Sequence, residues 1–397
     1  MKPFAIKPNI YWTGALHPDL RIFDIIMRTK NGTTYNSYLI KGEKIAVIDT
    51  VKGKFSHQFL QNIGELVDPA DIDYIIVQHT EPDHSGSLVD LMKAAPQARV
   101  ICSKAAVKYV QNTVNMDIEP IAAQSITDLD LGGFTLQFIP APFLHWPDTM
   151  MTYLIEEKIL FPCDVFGSHF CDSRMFDDQI TSDFWPDFRY YFDMIMRPYK
   201  KSYRNVNKKL QELDIQCIAP SHGPVLRAEI HKYMNAYEEW TAPLPPNDPA
   251  KMIIYFVSAH GNTAKMGRKI AEGASSQNVD VEVFDLQDMD FKDHLDRIER
   301  ADALVVGSPT INNDAVKQVW DVLGSLVTLD LKGKLGASFG SYGWSGEATK
   351  FLDDRLNALK FKVPYEGLTS VLVPSEEELQ RSFDFGVQLA KMLKREG

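Results

Sequence analysis

The sequence has little cysteine and no long apolar run. Its 397 residues contain four cysteines without Cys-x-x-Cys spacing, which excludes a zinc ribbon and a thiolate-bound iron site. We expect reduced thiols in a reducing compartment. No stretch approaches the roughly 18 apolar residues of a membrane span, and the first ten residues lack the apolar core of a signal peptide. We therefore expect a cytoplasmic protein without a membrane anchor. The cysteines are Cys102, Cys163, Cys171 and Cys217.

Positive charge is also scarce. The 42 lysines and arginines are outnumbered by 53 aspartates and glutamates, which gives a formal net charge of -11. No segment concentrates basic residues, so the sequence argues against a nucleic-acid partner and against an anionic membrane surface. A small uncharged substrate, or a partner with a basic patch, fits this charge better.

A proline-rich segment divides the chain. The ten residues Thr241–Ala250 contain four prolines, which can continue neither a helix nor a central strand. A chain of this length also favours two or three domains over one. We predict a first domain at 1–248 and a second at 249–397.

The first domain begins with short runs rich in β-branched and aromatic residues, at 10–14, 21–27, 34–40 and 44–50. Four later apolar runs are predicted strands, and each is followed by a potential metal ligand. Sites in α/β proteins lie at the carboxyl ends of strands. The runs and their ligands are 73–78 before His79, 134–141 before His145, 158–163 before Asp164, and 215–220 before His222.

The second domain alternates predicted strands and helices. The expected strands are 252–257, 279–286, 303–307, 335–340 and 368–373. Helices are expected from 263, around 294–301, around 316–326, from 345 and from 375. Five strands separated by helices predict a parallel, doubly wound α/β sheet.

The densest chemistry lies in the hexapeptide His79-Thr-Glu-Pro-Asp-His84, which has two imidazoles and two carboxylates. Crowded carboxylates repel each other, and a bound divalent cation turns that repulsion into ligation. With His145, Asp164 and His222 the set is too large for one tetrahedral zinc, but it suits a metal pair bridged by Asp164. Imidazole and carboxylate ligands without thiolate suit iron, manganese or zinc. Carboxylate-rich sites with open coordination positions favour redox-active iron.

The histidines outside the hexapeptide are less specific. His145 or His222 alone could equally be an ordinary histidine near a strand end. His169 lies close to Asp164 in sequence, and we expect it to support a ligand rather than to bind metal.

Three loops of the second domain predict an FMN site. The first follows the strand that begins at Ile253, and its Ser, Gly, Asn and Thr residues open a helix whose N–H groups can hold a phosphate. It is neither Gly-x-Gly-x-x-Gly nor an ATP-binding loop, which favours FMN over a dinucleotide or ATP. The other loops offer small residues and two aromatic rings. The expected FMN-binding residues are Ser258, His260, Gly261, Asn262, Thr263, Ser308, Pro309, Thr310, Ile311, Asn312, Asn313, Ser341, Tyr342, Gly343, Trp344 and Gly346.

These motifs carry a family resemblance. The pattern His79-x-Glu81-x-Asp83-His84 resembles the metallo-β-lactamase signature His-x-His-x-Asp-His, with Glu in the second His position. Together with the segments 144–148, 221–223, 308–313 and 342–344 and with Asp164, it resembles the flavodiiron proteins over essentially the whole chain. The resemblance implies an N-terminal metallo-β-lactamase-like αββα domain, followed by a flavodoxin-like doubly wound parallel sheet.

The resemblance also implies the ligands of two iron ions. It assigns one iron to His79, Glu81 and His145, the other to Asp83, His84 and His222, and the bridge to Asp164; the reaction would occur at these same seven residues. His84 is the least secure member, because a water takes its place in some relatives. The family often carries a His soon after an Arg-x-Phe segment, where this chain reads Arg21-Ile-Phe-Asp24. The effect of Asp24 on proton delivery, or on the choice between dioxygen and nitric oxide, stays open.

The implied activity is the reduction of dioxygen to water, the reduction of nitric oxide to nitrous oxide, or both. The first takes four electrons, and the second takes two for each pair of nitric oxide molecules. Electrons would pass through FMN from a separate donor, because the chain lacks the Cys-x-x-Cys pairs of a fused rubredoxin. Rubredoxin is the preferred donor, and a deazaflavin-linked route is the alternative. The resemblance further implies a head-to-tail homodimer in which the FMN of one subunit lies beside the diiron site of the other. Dimer and tetramer both stay open.

Two other functions remain as alternatives. One is a dizinc hydrolase of metallo-β-lactamase fold, acting for example on thioesters, with an accessory flavodoxin domain. The other is a non-catalytic flavin electron carrier whose first domain binds metal or docks a partner. Glu81 in a usual His position and the flavin domain weigh against the hydrolase. Metal analysis with assays of oxygen and nitric oxide consumption separates the three.

Overall fold

A computed structural model describes residues 1–287, 289 and 294–393. The chain separates into two compact units, Met1–Ala242 and Pro243–Gly397. Residues 394–397, the end of the predicted second domain, lie outside the described residues. In the part of the chain that is described, no helix is both long and apolar enough to span a membrane.

The first unit contains two main β-sheets. The seven-stranded sheet has the order β1-β2-β7-β8-β9-β10-β11, and the five-stranded sheet has the order β12-β13-β14-β15-β16. Short pairs β3–β6 and β4–β5 lie outside them. The strands are β1 (Phe4–Lys7), β2 (Ile10–Trp12), β3 (Ala15–His17), β4 (Ile22–Phe23), β5 (Met27–Arg28), β6 (Thr33–Tyr35), β7 (Tyr38–Lys41), β8 (Ile45–Ile48), β9 (Ile72–Val77), β10 (Arg99–Cys102), β11 (Ile121–Ala122), β12 (Asp128–Asp130), β13 (Thr135–Pro140), β14 (Met150–Leu154), β15 (Ile159–Phe161) and β16 (Cys217–Ile218).

Helices accompany these two sheets. A π-helical segment, Phe192–Met196, directly follows α5, and a 3₁₀ turn at Arg197–Tyr199 links it to α6. The helices are α1 (Ser56–Gly64), α2 (Pro82–Ser85), α3 (Leu88–Ala94), α4 (Val107–Val114), α5 (Trp185–Tyr191), α6 (Lys200–Leu210) and α7 (Ile230–Thr241).

Strand β8 shows why the first unit forms layers. All four of its residues are buried, although successive side chains of a strand point to opposite faces. Ile45 and Val47 belong to one apolar cluster, which includes helix residues such as Phe59. Ala46 and Ile48 belong to another, which includes residues of the five-stranded sheet. A sheet covered on both faces gives the expected αββα arrangement of a metallo-β-lactamase-like fold.

Two predicted strands near the N-terminus were wrong in detail. The run 34–40 forms two strands, β6 and β7, because the side chain of Asn36 bonds away from the ladder. Its Nδ2 donates to Pro220 O at 2.7 Å and to Gly223 O at 2.9 Å. The run 21–27 forms part of the β4–β5 hairpin instead of one strand. Asp24 and Ile25 at its tip adopt φ of 45° and 70°, which an extended strand does not allow.

The second unit contains a five-stranded parallel sheet of order β18-β17-β19-β22-β23. This strand order confirms the predicted doubly wound, flavodoxin-like sheet. The strands are β17 (Lys251–Phe256), β18 (Asp280–Asp285), β19 (Ala303–Gly307), β20 (Thr310–Ile311), β21 (Asp314–Ala315), β22 (Leu335–Tyr342) and β23 (Leu368–Val371), and the helices are α8 (Asn262–Ser275), α9 (Leu295–Arg300), α10 (Lys317–Ser325), α11 (Glu347–Ala358) and α12 (Glu376–Leu393).

Apolar clusters cover both faces of this parallel sheet. Ile253 and Tyr255 of β17 join one cluster, and Met252, Ile254 and Phe256 join the other. A strand buried on both faces is continuously apolar instead of alternating, and the sequence of β17 has that character. The carboxyl ends of β17, β19 and β22, which are neighbours in the sheet, therefore meet at one edge.

Candidate metal centre and flavin loops

The predicted metal ligands follow four strand ends. His79 lies two residues after β9, and the chain then turns at Pro82 into the short helix α2, which carries Asp83 and His84. The other ligands follow β13, β15 and β16, which run in the same direction within their sheet. The structure brings all seven predicted side chains together in two groups that share Asp164. The seven are His79, Glu81, Asp83, His84, His145, Asp164 and His222.

The first group comprises two imidazoles and two carboxylates, of which one belongs to the shared Asp164. His79 Nε2 lies 3.0 Å from Glu81 Oε2, and His145 Nε2 lies 3.1 Å from the same oxygen. Asp164 Oδ2 lies 3.5 Å from His145 Nε2 and 3.9 Å from His79 Nε2. One ligand atom from each of these four residues fits within 4.8 Å, as a shared cation requires.

The second group lies on the other side of Asp164. His222 Nε2 is 3.1 Å from Asp83 Oδ2, and His84 Nε2 is 3.5 Å from Asp83 Oδ1. Asp164 Oδ1 lies 3.2 Å from His84 Nε2 and 3.4 Å from His222 Nε2. The two oxygens of Asp164 therefore face different groups, which is the geometry of a carboxylate bridge.

Three polar atoms at this site are not satisfied by hydrogen bonds from the described residues. Asp83 Oδ1, His84 Nε2 and Asp164 Oδ2 are buried and have no hydrogen-bond partner within the described part of the chain. Buried polar atoms are nearly always satisfied, so such a convergence of unsatisfied polar atoms needs an explanation. Cations between the groups would satisfy them, and imidazole and carboxylate are suitable ligands for iron. The residues therefore fit two metal ions.

Outer contacts hold the rings with Nε2 inward. His79 Nδ1 lies 3.3 Å from Asp148 Oδ1, while Asp148 Oδ2 accepts hydrogen bonds from Thr80 N at 2.9 Å and from Thr80 Oγ1 at 2.6 Å. His222 Nδ1 lies 2.6 Å from Thr34 O. A partner of this kind on the far ring nitrogen orients a metal-binding histidine and raises its basicity.

His84 has a weaker contact of the same type. Its Nδ1 lies 3.7 Å from Asp49 Oδ2, and Cys163 lies near the same pair. Asp49 Oδ1 already accepts a hydrogen bond from Gln78 N at 2.8 Å. Burial raises the pKa of the Cys163 thiol well above its ordinary value, so the cysteine is neutral and a poor ligand. We interpret this trio as support for His84 instead of a third metal site.

The histidines and carboxylates of the site stabilise each other's charged forms. Burial disfavours the charged form of His145, but the carboxylates of Asp164 and Glu81 beside its ring raise its pKa to about 10. Burial also disfavours the Asp164 carboxylate, yet the charge of His84 and the neighbouring ring of His145 hold its pKa well below the usual range. The site thus prefers ionised carboxylates with positive charge between them, whether carried by protons or by metal ions.

Several residues around the ligands were not predicted. Tyr191 Oη donates to Asp164 Oδ1 at 3.1 Å, and burial, with the charge of Asp164, raises the pKa of this phenol well above its ordinary value. The ring of Tyr199 lies 6.4 Å from that of His145. Asp49 directly follows β8, so the strand-end rule that indicated His79 could have found it. A tyrosine on a helix gives no comparable signal.

His169 and Asp24 lie beside the ligand set. His169 belongs to neither ligand group, and its Nδ1 lies 3.0 Å from Thr33 Oγ1. Burial lowers the pKa of His169 well below its usual value, so the ring is neutral. Burial and the neighbouring Glu81 raise the pKa of Asp24 to about 6. The β4–β5 hairpin therefore places an additional acid close to a predicted ligand.

The predicted FMN residues lie in three loops at one edge of the parallel sheet. Gly261, with φ of 79°, precedes helix α8, whose first N–H groups are free of helical partners. Ser258 Oγ accepts from Ala264 N at 3.1 Å, and the hydroxyls of Thr263 and Ser341 are 2.9 Å apart. The contact between Thr263 and Ser341 links the first and third loops, and N–H groups at the start of a helix are suited to hold a phosphate.

The other two loops approach each other closely. A Cβ on Gly340 would lie 2.1 Å from Ser308 O, so only glycine fits there. Asn312 and Asn313, at φ of 53° and 61°, form the turn of the β20–β21 hairpin. The side chains of the loops differ in exposure. Thr263, Ser308 and Ser341 are buried; Ser258, Gly261, Asn262, Pro309, Thr310, Tyr342 and Gly346 are partly buried; His260, Ile311, Asn312, Asn313, Gly343 and Trp344 are exposed.

Two family models match the chain. Residues 33–223 match the ODP family beta lactamase, and residues 254–386 match the flavodoxin family. These segments cover both predicted ligand groups and all three loops.

Similar proteins match over nearly the full length. The flavo-diiron protein FprA2 of Clostridium acetobutylicum is 43% identical over 99% of this chain and 100% of its own length. The nitric oxide reductase of Moorella thermoacetica is 37% identical over 98% of both chains. Among solved structures, rubredoxin oxygen:oxidoreductase from Desulfovibrio gigas has a TM-score of 0.71 and 29% identity, over 99% of this chain and 98% of that one.

Proposed function

The chain belongs to the flavodiiron protein family, and from this premise we propose that it reduces dioxygen to water, nitric oxide to nitrous oxide, or both. Membership makes it an oxidoreductase whose cofactors are FMN and a non-haem diiron centre. The proposed ligands are His79, Glu81 and His145 for one iron, Asp83, His84 and His222 for the other, and Asp164 for both.

One observation carries this assignment. The two oxygens of Asp164 face two separate groups of ligands, and three of the atoms that face inward have no hydrogen-bond partner among the residues that the structure describes. A single zinc with four ligands would leave part of this set unsatisfied. Two ions would satisfy the whole set of ligands. The flavin domain also argues against a hydrolase, because hydrolysis needs no flavin.

The side chains have distinct proposed tasks. Bound iron would supply redox change and open coordination positions, and FMN would supply electrons. Glu81 and His145 are the ligands with the most exposed side chains, at 15% and 20%, so the substrate side of the centre lies there. Trp146 packs its ring 4.9 Å from that of His79, and Phe23 lies 5.4 Å from that of His222. Apolar rings of this kind would limit water around the ligands, which suits small uncharged gases as substrates.

The electron donor and the assembly are part of the proposal. We propose rubredoxin or a similar small protein as donor, which is supported by the name of the Desulfovibrio gigas relative. The Moorella thermoacetica relative similarly supports nitric oxide as a substrate. We further propose a cytoplasmic head-to-tail homodimer or tetramer, in which the flavin of one subunit reduces the metal centre of another. The four unpaired cysteines agree with a reducing compartment.

Gas consumption by metal-analysed protein tests the proposed function. Anaerobically reduced protein should contain two irons and one FMN per chain, and with rubredoxin supplied it should consume dioxygen or nitric oxide. Protein that contains zinc and consumes neither gas would support the hydrolase and overturn this proposal. Protein that accepts and donates electrons through FMN but consumes neither gas would support the electron carrier and overturn it as well.

A further inference from the structure

Tyr191 makes a contact that none of the proposed ligand roles explains. Its side chain is buried at the end of α5, where the chain passes into the π-helical segment Phe192–Met196. π-Helical turns are rare and are frequent at functional sites. The phenol donates its hydrogen bond to Asp164 Oδ1 at 3.1 Å, so a neutral donor reaches the bridging carboxylate from outside the ligand set.

The surroundings of Tyr191 hold its ring in place. The ring packs edge-on at 4.8 Å from that of His169. A Cβ on Gly167 would lie 3.1 Å from Cζ of Tyr191, so glycine at this position gives the phenol room to approach. The hydroxyl therefore has a fixed direction toward Asp164.

This hydrogen bond makes the two oxygens of Asp164 unequal. Oδ1 faces His84 and His222 and also accepts the bond from Tyr191. Oδ2 faces His79 and His145 and has no hydrogen-bond partner among the described residues. A hydrogen bond to a carboxylate oxygen withdraws electron density from it and weakens it as a ligand.

We propose that Tyr191 is a positioning residue that fixes Asp164 as a bridge and makes the two metal positions electronically different. This inference rests on the proposed diiron centre. The iron held by Asp83, His84 and His222 would share the weaker oxygen of Asp164, and the iron held by His79, Glu81 and His145 would share the stronger one. The two irons would then differ in charge density and in affinity.

Mössbauer spectroscopy of the diferrous protein tests this asymmetry. Wild type should give two distinct quadrupole doublets, and Tyr191→Phe, which keeps the ring and loses only the hydroxyl, should change their separation. Because Oδ1 becomes a stronger ligand without the hydroxyl, a competing chelator should remove the iron held by Asp83, His84 and His222 about 10-fold less readily from the variant, the usual scale for a changed partner of a metal ligand. A fluorinated tyrosine at position 191, which is a stronger donor, should move the doublets in the opposite direction to Tyr191→Phe.

Tyr203→Phe is the matched control. Tyr203 is equally buried, and its hydroxyl donates to Asn207 Oδ1 at 3.3 Å, away from the ligands. This variant should keep the wild-type spectrum. If wild type and Tyr191→Phe hold two irons with the same spectrum and chelator sensitivity, the inference fails while the diiron centre stands. If wild type binds a single metal ion, the diiron assignment fails and this inference with it.

Discussion

The metal-binding unit and the flavin unit present their candidate sites in opposite ways. In the first, seven side chains with charged or imidazole groups supply the chemistry, and five of them are buried. In the second, loop backbones and small hydroxyls at a sheet edge supply it, and six of the sixteen candidate residues are exposed. In a sequence, residue types indicate a site made of side chains. A site made of backbone groups has to be inferred from loop spacing and from the order of the strands in the sheet.

Removal of the shared carboxylate should have the largest effect, because it should abolish the metal site and leave the flavin site intact. In Asp164→Ala both ligand groups lose their common member, so we expect loss of the diiron centre and of gas consumption. The flavin loops contain no metal ligand, so FMN should remain bound. Iron analysis and flavin absorbance of the purified variant measure both. Asp128→Ala, at an exposed position of β12, is the matched control and should keep two irons. Full iron content in Asp164→Ala would contradict the bridge.

The converse change should damage only the flavin unit. Gly340→Ala places a methyl group 2.1 Å from Ser308 O, and the backbone of two neighbouring strands must move. We expect a loss of about 1 to 3 kcal/mol in the free energy of unfolding of that unit, with weaker FMN binding. Denaturant unfolding monitored by flavin fluorescence measures it. Gly324→Ala, where an added Cβ meets no atom within 4 Å, is the control. An unchanged FMN affinity in Gly340→Ala would show that this edge does not hold the flavin.

This contrast also explains what could be predicted from the sequence. The proposed ligands after β9, β13, β15 and β16 could be named because each carries its chemistry in a side chain and follows a recognisable strand. Tyr191 could not be predicted, because its contact with Asp164 depends on how α5 ends and a helical tyrosine is usually core. The break between β6 and β7 depends on Asn36 bonding to Pro220, which is 184 residues away. Such long-range contacts leave no local pattern.

Residues that contact the ligands, such as Asp148, should raise the metal affinity of the first unit. In Asp148→Asn the amide replaces the carboxylate that faces His79 Nδ1 and accepts two hydrogen bonds from Thr80. Metal affinity should fall about 10-fold or somewhat more, because the ring loses basicity and orientation. Competition with a chromophoric chelator gives the affinity. Asp90→Asn is a control, since Asp90 pairs with Ser56 instead of a ligand. Equal affinities for Asp148→Asn and wild type would remove Asp148 from the site.

Protons should compete with metal only in the first unit. The pKa of His145 is raised to about 10 in the metal-free protein, so its ring is protonated at neutral pH and must lose that proton to bind metal. Binding should therefore release about one proton per chain or more at pH 7, and affinity should rise with pH toward about 10. Calorimetry in buffers with different ionisation enthalpies counts the protons. Heats that do not depend on the buffer would contradict this proton competition.

The smallest expected effect concerns the most exposed aromatic ring of the flavin loops. Trp344 is 77% exposed, so it contributes little to the folded unit, and its replacement tests flavin contact almost free of stability changes. If its ring stacks on the isoalloxazine, Trp344→Ala should weaken FMN binding by about 1 kcal/mol, or roughly 5-fold, with no change in iron content. Fluorescence titration of the apoflavin protein measures this. Phe351→Ala, a partly exposed aromatic on α11, is the control. Equal FMN affinity in Trp344→Ala and Phe351→Ala would mean that Trp344 does not contact the flavin. The flavin site would then depend on backbone groups even more than proposed, in contrast to the metal site.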